Sequence, residues 1–438
     1  MCVFVILPAM QFPGLPFLSQ RHFPKVDLSG DALGGACTGL SMLLIFAFFV
    51  IRTNWFGRWV ERAKLAIVCL VSLMSVVLPT VSDISARATL GLQLNGQQVS
   101  FAHDGGVLQT EAAVQFLLQG QNPYAADYRN TQVAQGMDSR PELWRSLGFE
   151  ENPAYHFYAY PPLTVLISVP FYAAGKHLLG WYDQRILHLI ALALLGVLGY
   201  ALPTSTRWKL PLMTLLVLSP VSALFFVFGM NDVLCTTAIT ATFYFLTRKK
   251  LRAASLLLGL SCGLKQFAWV LVPFHLAYIC AYAAGDGKPG AARRIWALTW
   301  PLFVSAGILL LPFLVWNPRA FIYGLLTAQG SVYPFRSMSL GFANFLILFR
   351  WIHNLRDPYP AVILYVLTVL PVTAYGVLRI LREKTLKMLI VWYATALFLF
   401  LFFSRHFAHN YLGFLFALIS INCAVEDGGT GEGQNDSS

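Results

Sequence analysis

FAHDGGVLQTEAAVQFLLQGQNPYAADY, residues 101–128, and NPAYHFYAYPPL, residues 152–163, flank the longest polar interruption in a very apolar chain. On either side of it, apolar runs of roughly 15–20 residues are parted by short charged clusters, close to the length a helix needs to cross a bilayer. Of the 438 residues, 57% are hydrophobic and 12% charged, about half the charged share of a soluble domain. The runs lack the apolar–polar alternation of a membrane β-barrel. The expected fold is therefore an all-α polytopic membrane protein, a bundle of about ten transmembrane helices with short re-entrant helices. A large first extracytoplasmic loop, residues 82–159, interrupts it.

The net charge of +11 reads as Lys and Arg that fix topology. No basic stretch is long enough, or interleaved enough with aromatics, to form a nucleic-acid surface, so no nucleic-acid partner is expected. The seven cysteines lie mostly inside apolar runs without metal-ligand or redox spacing and read as small core hydrophobes. Residues 1–18 begin apolar but contain Pro8, Pro13 and Pro16 and have no basic start, which makes a poor signal peptide and a marginal span. Three segments follow: 1–64 with the first span or spans, 65–424 as the transmembrane body, and 425–438 as an acidic, Gly/Ser-rich tail that is disordered by composition.

Arg52, Arg58, Arg62 and Lys64 place the connection after residues 31–51 in the cytoplasm, and residues 65–81 then cross outward. Further spans are expected at 186–202, 212–228, 233–246, 296–316, 362–378, 387–403 and 412–423. Residues 253–283 are too long for one ordinary span and read as two short helices meeting at Lys265. This threading puts nearly every basic cluster inside. It puts Asp104, Asp232, Lys265, Arg336, Arg405, His406 and His409 together on the other face. Residues 110–119 have the spacing of an amphipathic helix lying in the interface.

Several of these groups have two readings. Asp104 precedes Gly105 and Gly106, which allow close approach, so it suits a general base or a helix N-cap. Asn122-Pro123-Tyr124 is a turn signal that also offers polar groups to a substrate. Tyr155, Tyr158 and Tyr160 suit interfacial anchoring or stacking on a sugar ring. Lys265, followed by Gln266, sits in the apolar LSCGLKQFAW, where a cation calls for a phosphate partner or must snorkel to an interface. Asn231 and Asp232 stand at a helix boundary, as ligands or as a cap. Arg405, His406 and His409 form a patch able to hold a phosphate. The two histidines lack a third ligand at local spacing, so no metal site is assigned. Arg336 in YPFRSMS is a further anion-binding candidate or a solvated loop arginine.

In order along the chain, Asp104, Gly120, Asn122-Pro123-Tyr124, Tyr160-Pro161-Pro162-Leu163, Gly229, Asn231-Asp232, Gly263-Leu264-Lys265-Gln266, Asn317-Pro318 and Ser404–Tyr411 resemble the polyprenyl-phosphate-sugar-dependent membrane glycosyltransferases of the GT-C fold. The likeness is closest to glycosyltransferase family 87, which includes bacterial mannosyltransferases, and covers roughly residues 100–420. It implies transfer of a sugar, a hexose such as mannose, from a polyprenyl-phosphate carrier to a lipid or glycan acceptor. The reaction would invert the anomeric centre on the outer face of the cell membrane. By that resemblance Asp104 is the base, and Lys265, Arg405, His406 and His409 hold the donor phosphate. Asn122, Tyr124, Tyr160, Asn231, Asp232, Gln266 and Arg336 are the substrate-binding candidates. Many GT-C enzymes pair two acids in that loop, whereas His103-Asp104 has no adjacent acid. No cofactor is expected, and metal dependence stays open. A secondary transporter or lipid flippase is the alternative, but it calls for mid-span charges and internal repeats, while here the polar residues gather at run ends. A structural scaffold is the third reading.

Overall fold

The computed structural model describes residues 28–51, 59–90, 93–94, 97–98, 105–135, 141–219, 221–284, 290–332, 339–354 and 357–426. It is a helical bundle. The antiparallel pairing of β1 (Gln93–Leu94) with β2 (Gln97–Gln98) is the only sheet among the described residues. Helix α1 is Leu28–Val50. Helix α2 runs from Trp59–Ser72 through a π turn, Leu73–Val77, into Leu78–Leu90. The polar stretch then holds α3 (Gly105–Leu118), α4 (Pro141–Ser146) and a 3-10 turn at Pro153–His156. The body follows: α5 (Leu163–Leu179), α6 (Arg185–Ala201), α7 (Thr206–Val217), α8 (Ala223–Val227), α9 (Asp232–Thr247), α10 (Leu251–Cys262), α11 (Phe267–Ala284) and α12 (Ala291–Trp316). Next come α13 (Pro318–Ile322), a π segment (Tyr323–Val332), α14 (Phe342–Leu348), α15 (Ala361–Leu367), α16 (Val369–Glu383), α17 (Leu386–Phe402) and α18 (His409–Ala424).

Among the described residues, three helices are long and apolar enough to cross a membrane: Trp59–Ala88, Ala291–Trp316 and Ala361–Glu383. Shorter apolar helices pack against them, α10 and α11 on α12 and α11 and α17 on α16. Large apolar side chains on the long helices face outward, such as Val315 at 78% exposure and Val362 at 73%. That is the surface expected of a helix whose solvent is lipid.

Helix α9 is the hub, packed on α6, α10 and α18. Its sequence DVLCTTAITATFYFLT buries most of its residues, including four threonines. Those hydroxyls donate back into their own helix: Thr236 to Asp232 O at 2.8 Å, Thr240 to Thr236 O at 2.7 Å and Thr242 to Ala238 O at 3.0 Å. Thr237 donates to Val233 O and also reaches Ala191 O on α6 at 3.0 Å. Threonine thus supplies a small, fully satisfied side chain where helices meet without water. Helices α10 and α12 approach still more closely at Gly259. A Cβ there would fall on Ser305 Oγ and lie 2.5 Å from Leu302 O.

The two ends of the bundle differ chemically. At one end, Arg248 donates to Ala201 O, Arg252 to Ala297 O and Arg294 to Ala283 O, so guanidiniums meet the backbone of neighbouring helices. Arg207, Lys209, Lys249 and Arg379 there lie over Trp208, Tyr200, Tyr278 and Tyr375. The opposite end carries the polar stretch and the α10–α11 junction.

Two expectations need correction. The first loop does not begin at residue 82, because α2 stays helical to Leu90. Nor does α3 lie as an amphipathic helix on the surface. Every residue from Gly106 to Val114 is buried, since α5 and the turn at 132–135 cover it on different sides. The expected pair of helices meeting at Lys265 is present as α10 and α11. Asp104 and Arg336 lie outside the described residues, as do residues 1–27 and 427–438, on which the marginal first span and most of the tail fall. Cys235 and Cys262 are buried, whereas Cys69 and Cys423 face outward.

Candidate active site

The α10–α11 junction is built by two separated stretches of chain. Leu163, first residue of α5, has a backbone N–H with no partner inside its own helix. It donates to Gly263 O at 2.8 Å, and Thr164 Oγ1 donates to Leu264 O at 3.1 Å. Gln266 Nε2 completes the seam, donating to Ala159 O at 3.2 Å and Leu325 O at 3.1 Å. Tyr160-Pro-Pro-Leu and Gly-Leu-Lys-Gln are thus two halves of one structure. Trp269 Nε1 closes it from the other side by donating to Cys262 O at 2.8 Å.

Lys265 projects from this junction into the bundle. Its ammonium is 2.6 Å from Asp232 Oδ1, with both side chains less than a tenth exposed. Asp232 Oδ2 accepts from Asn410 Nδ2 at 2.7 Å. One carboxylate therefore joins the starts of α9 and α18 to the α10–α11 junction, and neither Asn231 nor Asp232 serves as a side-chain cap. Phe267 and Tyr411 present ring faces to the ammonium at 4.6 and 4.7 Å. A cation so enclosed keeps its charge only because an anion and two π faces replace its water.

Asn231 faces the other way. Its Oδ1 accepts from His188 Nε2 on α6 at 3.0 Å, and its Nδ2 donates to Thr110 Oγ1 on α3 at 3.3 Å. Thr110 shares a hydrogen bond with the Tyr158 hydroxyl at 3.2 Å. Burial pushes the Tyr158 phenol up, so it is neutral. Tyr158 packs against Tyr124, whose hydroxyl donates to Tyr160 O at 2.7 Å. Asn122 Oδ1 accepts from Tyr124 N and makes the turn that Asn-Pro-Tyr foretells. Asn122, Tyr124 and Tyr158 are buried in a packed aromatic layer with Phe313 and Phe321.

The 404–411 segment is held by Ser339: Phe407 N donates to Ser339 Oγ and Leu340 N to Phe407 O. His406 stands beside the Tyr411 ring, with centroids 6.2 Å apart, and so flanks the Lys265 enclosure. His409 opens α18 and is exposed. Arg405 is buried and donates to Asp357 O at 2.9 Å. The structure thus gathers Asn231, Asp232, Lys265, Asn410, Tyr411 and His406. Gln266, Asn122, Tyr124 and Tyr160 lie in the adjoining framework.

A second polar cluster, absent from the sequence reading, lies under α3. Arg87 bridges Glu111 (2.6 Å) and Asp183 (2.8 Å), and Arg185 bridges Asp183 (2.9 Å) and Asp83 (3.6 Å). Burial alone would raise the Asp183 carboxyl, but Arg185 and Arg87 outweigh it and hold Asp183 well below the usual carboxylate range. The only advance signal was Asp183-Gln184-Arg185, two opposite charges set between apolar runs. Among the described residues no group of His, Cys, Asp and Glu could hold a metal ion.

Helices long and apolar enough to span a membrane, with a buried polar junction at one end of the bundle, define the class: a helical integral membrane protein. The chain belongs to glycosyltransferase family 87, whose family model matches residues 158–404. It is therefore an enzyme of the glycosyltransferase type. The match takes in Asp183, Arg185, Asn231, Asp232 and Lys265, and it is narrower than the likeness read from the motifs. No curated protein and no solved structure matches the chain.

Proposed function

We propose that this enzyme transfers a sugar, a hexose such as mannose, from a polyprenyl-phosphate carrier to a lipid or glycan acceptor. The reaction occurs at the end of the bundle opposite the basic cluster, which we assign to the extracytoplasmic face of the cell membrane by the positive-inside rule. The observation that carries this reading is Lys265, an ammonium enclosed where α9, α10, α11 and α18 meet in a glycosyltransferase family chain. A buried cation suits a phosphate whose isoprenoid tail remains in the bilayer.

The acceptor oxygen attacks the anomeric carbon as the bond from that carbon to the phosphate oxygen breaks. The acceptor proton passes to Asp104, and polyprenyl phosphate departs. The configuration inverts. The leaving group is a phosphate, so it needs positive charge rather than a proton donor. Lys265 supplies that charge, and Arg405 and His406 before α18, with His409 at its first residue, complete the set that would hold the donor phosphate. Asp232 keeps Lys265 charged and oriented until the donor arrives.

Membranes containing the protein, given labelled polyprenyl-phosphate sugars, are expected to label an acceptor. Asp104→Asn is expected to abolish labelling while accumulating at the normal level, and Lys265→Gln is expected to abolish labelling per folded molecule. Near-normal labelling by Asp104→Asn would remove the base from the scheme.

A further inference from the structure

Gly229 has φ +77°, a conformation that glycine adopts without strain. A Cβ at that position would lie 2.6 Å from Arg185 Cγ and 2.8 Å from Val107 Cγ2. The Arg185 stem, the first turn of α3 and the bend leading to Asn231-Asp232 therefore occupy one closely packed point. The Arg185 guanidinium is fixed at the same time. Asp183 Oδ1 accepts from Arg185 Nε at 3.0 Å and Asp183 Oδ2 from Nη2 at 2.9 Å, while Asp83 lies 3.6 Å from Nη1. Asp183 is itself held by Arg87, which grips Glu111 on α3 with two hydrogen bonds. Glu111 Oε1 also accepts from Gln184 N at 2.8 Å, and Oε2 from Gln132 Nε2 at 2.6 Å. One helical turn along α6 from Arg185, His188 donates to Asn231.

We propose that Arg185 is a positioning residue for the transfer reaction: braced by Asp183 and Asp83, its stem fixes the bend at Gly229 and hence the direction in which Asp232 meets Lys265. The inference rests on the reading of Asp232 and Lys265 given above. Arg185 is fully buried. Its influence runs through backbone placement, and a displacement of about 1 Å at a reacting centre is enough to slow a reaction by about a hundredfold. The same packing point holds the first turn of α3, the helix that directly follows Asp104 in the chain.

The test compares Arg185→Lys and Asp183→Asn with the unmodified full-length protein in proteoliposomes, using a labelled polyprenyl-phosphate hexose. Lysine keeps the charge but lacks the fork that holds Asp183 at two points. Asp183→Asn keeps the shape and loosens the arginine. Both are expected to lower kcat by about ten- to a hundredfold per folded molecule, with donor KM changed less than about threefold. If Arg185→Lys does not fold, Asp183→Asn carries the comparison. Wild-type kcat in the folded variants would overturn the positioning role, as would a loss confined to KM. If the unmodified protein transfers no sugar from such donors, the site reading fails and the proposal with it. If Lys265→Gln is inactive while Arg185→Lys and Asp183→Asn are fully active, only the positioning role fails.

Discussion

The Lys265 ammonium and the Asp232 carboxylate, 33 residues apart in the chain, lie 2.6 Å from each other in the interior of the bundle. Neither charge is stable there without the other. Replacing Lys265 by Met leaves an uncompensated buried carboxylate and is expected to cost about 3–5 kcal/mol. The double replacement Lys265→Met with Asp232→Asn is expected to recover most of that stability, but no sugar transfer. Thermal unfolding in detergent and a transfer assay on the same samples separate the two effects. A single Lys265→Met variant as stable as the parent would contradict the pairing.

Asn410 is the third member of this junction, and it adds a hydrogen bond from α18 to Asp232 Oδ2. Asn410→Leu is expected to lower stability by about 1–3 kcal/mol, since the carboxylate loses a partner it cannot replace with water. Because both donors serve one carboxylate, Asn410→Leu and Lys265→Met are expected to be non-additive, with a coupling of about 0.5–3 kcal/mol in a double-mutant cycle. Strict additivity would show that the two contacts are independent.

Gly259 sets the approach of α10 to α12. Gly259→Ala is expected to destabilise by about 1–3 kcal/mol, because the new methyl group meets the Leu302 carbonyl, which is fixed in its helix. Ser305→Ala in the same chain is expected to give only partial relief, since the carbonyl contact persists. Melting temperatures of the single and double variants decide the point.

On the polar stretch, Glu151 accepts hydrogen bonds from Nε and Nη2 of Arg129, and its Oε1 lies 2.9 Å from His156 Nε2. The hydrogen bonds from Arg129 lead in lowering the Glu151 carboxyl to about 2. A group with a depressed folded value stabilises above its unfolded value, and that contribution is lost as pH falls through the folded one. The cluster is therefore expected to hold the 127–156 region at neutral pH and to loosen between about pH 4.5 and about 2. The groups are half-exposed, so salt screens the effect. Limited proteolysis across that pH range reads it. Protection that does not change, or that grows on acidification, would show that the cluster holds nothing.

Much of this architecture is legible in the sequence, for a specific reason. A charged residue within an apolar run is conspicuous, so Lys265 and Asp232 stand out, and the break between α10 and α11 follows from the length of the run. The partnerships are not legible. Asn410 stands beside three more obvious groups, Arg405, His406 and His409, and nothing in the spacing says that Asn410 is the one that reaches Asp232. Arg87, Asp183 and Arg185 each look like an ordinary charge at the end of an apolar run, and Glu111 like one more polar residue of the interruption. Their meeting depends on how α2, α3 and α6 pack, which local periodicity does not encode. The burial of α3 was hidden for the same reason: its Gln109, Thr110 and Glu111 read as a wet face, whereas Ala154 and Phe157 carbonyls, Tyr158 and Arg87 take them up inside.

The seam between α5 and the α10–α11 junction bears on how the protein is made. The hydroxyl of Thr164 and the first amide of α5 are satisfied by carbonyls that follow them by 100 residues in the chain. During synthesis, α5 leaves the ribosome well before those acceptors do. Its first turn must wait, unfinished, until α10 has been inserted. That end of the bundle is consequently among the last parts to close, and truncated chains that stop short of residue 264 have no means of forming the seam.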